Sequence, residues 1–160
     1  MPVFTSHYGG PAGLTGSEPR SHTRFYNIAM QRLSVKTRKK REVIDITDRV
    51  ERLLGDGKHA GTCSLLILHT TAALTTADLD PGTDLDMLDA FEAMVPKLRY
   101  RHPHNPGHVP DHILSALIGT SVALPFENGK LLLGTWQRVV LIELDGPRER
   151  EVVVTITPER

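Results

Sequence analysis

The fold class this chain predicts is α+β: a single domain with a strand-rich, mixed or antiparallel sandwich-like core and about three helices. Three observations predict it. Short runs rich in Val, Ile and Leu recur along the chain, turn signals such as Asn128-Gly129 separate consecutive runs, and only three segments carry helix start and stop signals. At 160 residues there is room for one domain, which at that length buries roughly two-thirds of its unfolded surface.

The elements follow in order. Residues 1–29 hold Gly9, Gly10, Gly13 and Gly16 with Pro2, Pro11 and Pro19 and no sustained periodicity. They read as a flexible tail, or one laid over a neighbouring surface, ahead of a domain at residues 30–160. Leu33 to Lys36 alternates like a half-buried strand, and Glu42 to Ile46 reads as another. Thr47 or Asp48 is placed to cap a helix through Leu54, ended by Gly55 and Gly57. The apolar run Cys63 to Leu68 predicts a buried strand over Thr62 to Leu68, with a second near Ala72 to Thr76. Thr83 is placed to cap an amphipathic helix carrying Leu85, Leu88, Phe91, Ala93 and Met94, stopped by Pro96. Pro110 suits the start of a third helix through Leu117, and Gly119 its end. Thr120 to Pro125 and Lys130 to Gly134 make a hairpin about Asn128-Gly129, whose residues tolerate positive φ. Trp136 to Leu144 reads as a long apolar strand, and Glu151 to Thr157 returns after Asp145-Gly146-Pro147.

Composition excludes several classes. Nineteen basic residues balance nineteen acidic ones, so the whole-protein positive field that serves nucleic acid is absent. Lys36 to Arg41 holds five basic residues and reads as a solvated strand end; Asp78 to Glu92 holds six acids and no base. Those acids suit a helix N-terminus, and Asp78 and Asp80 also suit a cation. The single cysteine, Cys63, excludes an internal disulfide and fits a reducing compartment; within an apolar run it reads as an inert buried thiol. No run approaches twenty apolar residues and no secretory pattern opens the chain, so the expectation is a cytoplasmic protein with no membrane partner. Neither a phosphate-binding glycine loop, a Gly-x-Ser-x-Gly elbow nor a paired-cysteine zinc motif is present.

Chemistry concentrates in the histidines. His102, His104, His108 and His112 fall within eleven residues, and imidazole is both the commonest metal ligand and the side chain that titrates near neutrality. His112 falls in the opening turns of the third helix with His108 just ahead, so both face the same space. Pro103, Pro106 and Pro110 also permit a plain solvated loop. A three-histidine site needs a further donor, and His69, at the end of the apolar run, is the obvious one. The competing role for His69 is a hydrogen-bonded core group.

Three blocks then carry a resemblance. They are His69-Thr70-Thr71-Ala72-Ala73-Leu74-Thr75; Tyr100-Arg101-His102 with Asp111-His112; and Glu127 to Leu131 running into Leu133-Gly134-Thr135-Trp136-Gln137 and Asp145-Gly146-Pro147-Arg148. In this order and spacing they closely resemble the YjbQ-type family, also called secondary thiamine-phosphate synthases, over about residues 30 to 157. The resemblance implies a small α+β domain, commonly a homotrimer, with weak thiamine-phosphate synthase activity. That reaction joins hydroxymethylpyrimidine diphosphate to thiazole phosphate and releases pyrophosphate. It implies metal on His69, His102 and His112, for which imidazole preference favours zinc, with magnesium accompanying a diphosphate. The chain departs from the family pattern at Ala77-Asp78-Leu79, where many members have Asn-Glu-Asn, and at His108-Val109-Pro110.

For such a small phosphorylated substrate, Arg101 and Arg148 would supply positive charge and Thr70 and Thr71 hydrogen bonds. Of the family's Trp-Gln pair, Trp136 would stack on a heteroaromatic ring and Gln137 would also bind substrate. A rival is a metal-dependent hydrolase of a small phosphate or amide, with Asp78 or Asp111 as general base. A third possibility is a non-catalytic metal or small-ligand binding module.

Overall fold

The computed structural model describes residues 28–57 and 59–159. The predicted tail lies outside them up to residue 27, and Ala29 already belongs to the first strand. The elements run β1 (Ala29–Lys36), β2 (Glu42–Asp45), α1 (Thr47–Leu54), β3 (Ala60–Ile67), β4 (Ala72–Ala77), α2 (Thr83–Met94), a 3-10 turn (Pro106–His108), α3 (Val109–Ile118), β5 (Ser121–Glu127), β6 (Lys130–Leu131), β7 (Arg138–Glu143) and β8 (Glu149–Pro158). Every pairing is antiparallel. Five strands form one sheet in the order β1-β8-β3-β5-β6 and three form a second in the order β2-β7-β4.

The sheets pack face to face. Leu33, Val35, Cys63, Leu65, Ile67, Val152, Val154 and Ile156 of the large sheet meet Leu74, Val139 and Leu141 of the small one, with Val50 and Leu54 of α1 at one end. Strand periodicity selects these residues, since Cys63, Leu65 and Ile67 are buried whereas Ser64, Leu66 and Leu68 are exposed. The run Cys63 to Leu68 is thus a one-sided strand and not a fully buried one. Val140, Ile142 and Leu144 leave the far side of the small sheet and pack under Val95 and Leu114, joined by Met87, Leu88 and Phe91 of α2 and Ile113 of α3. Covered on both faces, β7 buries every residue from Val139 to Glu143, which is why its sequence is apolar without alternation.

Local details differ from expectation where tertiary contacts intervene. Neither Thr47 nor Asp48 caps α1: the Asp45 carboxylate accepts the Thr47 amide at 2.9 Å, and the Thr47 hydroxyl accepts the amide of Val139 at 2.8 Å. Gly82, in the left-handed region at φ 95°, precedes α2, and Thr83 makes no cap bond. Leu85 and Met94 of α2 are exposed. Pro110 is the second residue of α3, in its first turn, and Gly119 follows its last residue. At the β5–β6 hairpin Asn128 and Gly129 take φ of 51° and 75°, the pair of positive values that matches a hairpin's twist.

Candidate functional site

A cleft of about 630 Å³ opens where β3 leaves the large sheet and the chain crosses to β4. Leu68, His69, Thr70 and Thr71 form the crossing; His108 and His112 close it from α3's side, and Asp145, Arg148, Glu149 and Arg150 from the β7–β8 turn and β8. A groove of about 650 Å³ beside it, between α2 and α3, is more apolar and has no histidine among the described residues that line it. The convergence of polar groups marks the first as the candidate site.

Two imidazoles there have tautomers dictated by backbone. His69 Nε2 accepts the amide of Glu151 at 3.0 Å. A neutral imidazole has one donor and one acceptor nitrogen, so His69 carries its proton on Nδ1. Burial, and then the neighbouring Arg150 charge, hold its pKa below the usual 6.5, which favours this neutral form. His112 behaves oppositely. Its Nδ1 lies 2.9 Å from the Thr70 carbonyl; a carbonyl only accepts, so Nδ1 donates and Nε2 keeps its lone pair, with no hydrogen bond among the described residues. His112 is held there because Ser115, one turn on, donates to the Ala72 carbonyl at 2.7 Å and pins α3 to β4.

The floor is a buried ion pair. Arg150 and Glu143 are 2% and 0% exposed. Arg150 Nε donates to Glu143 Oε2 at 2.7 Å, and Nη2 donates to Glu143 Oε1 and, at 3.0 Å, to the Thr71 hydroxyl. Glu143 Oε1 also accepts the Asp145 amide at 2.8 Å. Arg148 is anchored above it, with Nε on the Asp145 carbonyl at 2.7 Å and Nη2 on its carboxylate at 2.6 Å. His108 Nδ1 approaches the same carboxylate at 3.8 Å.

The structure therefore brings His69, Thr70, Thr71, His112 and Arg148 to one cleft and leaves other expected residues elsewhere. His102 stacks on His112, rings parallel within 4° and 5.6 Å apart, but does not line the cleft. Arg101 is exposed in the preceding loop. Asp111 is 3% exposed and held by Arg41 Nη2 at 2.8 Å; it lines none of the cleft. Asp78 and Trp136 lie at the opposite end of β4, around a smaller hollow with Asp45, Asp80 and Arg138. Trp136 stands 68% exposed ahead of β7 and not within it. Gln137 accepts the Gly134 amide at 2.8 Å and closes that turn.

A three-histidine ion does not fit this arrangement. His112 Nε2 is available, with Nδ1 backed by a carbonyl as metal-binding histidines usually are. His69 has no lone pair to give, since one nitrogen accepts an amide and the other bears the proton. Among the described residues no three His, Cys, Asp or Glu side chains form a metal-holding group. An ion shared with His69 would require that ring to leave the Glu151 amide.

Sequence reasoning missed Arg150, Glu143 and Asp145. The signal was strand parity: Arg150 has the inward parity of Val152, Val154 and Ile156, and Glu143 interrupts an otherwise apolar run.

The UPF0047 YjbQ-like family model matches residues 31–159. A UPF0047 protein of Archaeoglobus fulgidus is 42% identical over 123 residues, 76% of this chain and 96% of its own. YugU, a UPF0047 protein of Bacillus subtilis, is 38% identical over 76% of this chain and 93% of its own. Among solved structures, a YbjQ-like protein of unknown function from Sulfolobus solfataricus superposes with a TM-score of 0.77 at 32% identity, over 84% of this chain and 100% of that one. Matched in sequence across nearly all of the described residues and in fold, the chain belongs to the YjbQ-like UPF0047 family.

Proposed function

We propose that the cleft takes a small phosphorylated substrate, and that the reaction is the transfer implied by the family resemblance: displacement of pyrophosphate from hydroxymethylpyrimidine diphosphate by thiazole phosphate. The observation that carries this is the convergence of His69 as a neutral Nδ1 donor, His112 with Nε2 free, and the anchored Arg148 in one cleft. The thiazole nitrogen lone pair forms a C–N bond to the pyrimidine methylene while the C–O bond to the diphosphate breaks. The nitrogen becomes a thiazolium and the electron pair leaves with pyrophosphate. No proton is abstracted from the thiazole, so neither Asp78 nor Asp111 is needed as a base. What the step demands is donors aimed at the departing oxygens and exclusion of water. Arg148 and the His69 N–H meet that demand, and Thr70 adds a hydroxyl at the mouth. Zinc or magnesium supplied with the substrate would add positive charge at the diphosphate.

Hydrolysis of a small phosphate or amide is the second reading, favoured by the unengaged Nε2 of His112, which can take a proton from water. Incubation with both thiamine precursors, with and without zinc or magnesium, and separately with a generic phosphate ester, decides between them. Thiamine phosphate supports the transferase, inorganic phosphate release supports the hydrolase, and neither product leaves a binding protein.

We also propose that the working form is a homotrimer. The outer face of the large sheet carries Met30, Leu66 and Leu68, each at least 45% exposed. It is one contiguous face, since Met30 and Ser64 both pair with Thr155, and Arg32 and Leu66 with Val153. Symmetric assembly would bury such a surface. A monomer mass by light scattering at micromolar concentration would refute it.

A further inference from the structure

Arg150 is nearly as buried as the core, yet it lines the cleft. Its hydrogen bonds engage Nε and Nη2 with Glu143 and Thr71. Nη1 has no hydrogen bond among the described residues, and no fully buried side-chain nitrogen or oxygen among them lacks a partner. The unbonded Nη1 is therefore the atom through which Arg150 reaches the open space of the cleft. Its charge is near enough to act on the His69 ring, whose Nδ1 proton likewise has no acceptor among the described residues. The carboxylates lining the cleft are engaged: Asp145 by Arg148, and Glu149 by the Ser34 hydroxyl.

We propose that Arg150 Nη1 and the His69 Nδ1–H form a two-donor seat for one phosphoryl group of the ligand, with Arg148 at its mouth. The inference rests on the reading of the cleft as a phosphorylated-ligand site and says which atoms do the gripping. Glu143 and Thr71 hold the guanidinium on two sides, so its third side is fixed in direction before any ligand arrives. The same pairing supplies the counter-charge without which a buried guanidinium is not tolerated. Lysine, with a single nitrogen, cannot satisfy Glu143 and Thr71 and also reach outward.

Calorimetric titration with inorganic pyrophosphate tests the seat. The unmodified protein binds, and Arg150→Lys binds roughly tenfold to hundredfold more weakly, the loss of one charge-assisted hydrogen bond. Should Arg150→Lys fail to fold, the double variant Glu143→Met/Arg150→Met removes the pair without stranding a charge and must show the same loss. In the unmodified protein the Nδ1 proton resonance of His69 shifts on adding pyrophosphate. Affinity unchanged in the folded variants, or an unmoved His69 resonance, overturns the seat while leaving the cleft as a phosphate site. Failure of the unmodified protein to bind either pyrophosphate or phosphate overturns both.

Discussion

Removing the Asp111 carboxylate separates a structural role from a catalytic one. The side chain is 4% exposed and accepts Arg41 Nη2 at 2.8 Å. Asp111→Ala strands that guanidinium beside a cavity. Breaking a fully buried pair costs about 3–5 kcal/mol. Arg41, however, is 22% exposed and keeps Glu92 at 3.0 Å, so part of its charge stays satisfied. The lost bond is then worth about 2 kcal/mol, the middle of the range for hydrogen bonds to charged groups. For a domain of this size that is a fall of about 6 °C in melting temperature. Urea titration of Asp111→Ala, Arg41→Met and the double variant measures it, and the two single losses should not add, because they remove the same pair. Loss of turnover in Asp111→Ala with stability within about 0.5 kcal/mol of the parent would refute the structural assignment and return Asp111 to the chemistry.

Other expectations are as direct. His112→Ala forfeits one hydrogen bond of about 1 kcal/mol, so it should fold yet lose ligand binding and activity, whereas His104→Ala, on an exposed loop, should change neither; paired melting and turnover assays check the contrast. The folded-state pKa of His69 lies below 6.5, so the unfolded chain takes up the proton first on acidification. Stability is complete above 6.5 and declines as pH falls through 6.5 toward the folded value; denaturant titrations at about pH 7.5 and about pH 5.5 should register that decline in the parent and less of it in His69→Gln. Gly129→Ala should cost at least about 2 kcal/mol by urea titration, because a residue at φ 75° is strained and its Cβ would fall 2.3 Å from the Gly55 carbonyl oxygen.

Much of the fold was legible because one face of each strand is buried. Alternation located β1, Asn128-Gly129 located the β5–β6 hairpin, and Pro110 with Gly119 bracketed α3. The misplacements have two causes, a partner distant in sequence in one case and a local turn in the other. Thr47 does not cap α1 because its hydroxyl is taken by the amide of Val139, far along the chain. Trp136 looked like part of a strand because it adjoins an apolar run, but Gly134 and Gln137 bond across a turn that holds it outside. At the site, the histidine residues were identifiable from composition, while their protonation was not: it depends on an amide of β8 and a carbonyl of the β3–β4 crossing. Arg150 was hidden as one of many arginines until its parity placed it inside.

The strand β4 also acts as a spacer. Thr71 stands just before it and Asp78 just after, and seven residues of extended chain at about 3.3 Å each set those ends about 23 Å apart. A metabolite with two small rings is shorter than that, so one molecule cannot touch His112 and Trp136 of the same chain. Within a single chain the two ends are thermodynamically independent, and the free energies lost on altering each should sum. A shortfall from that sum would mean that a ligand bridges from one copy of the chain to the next.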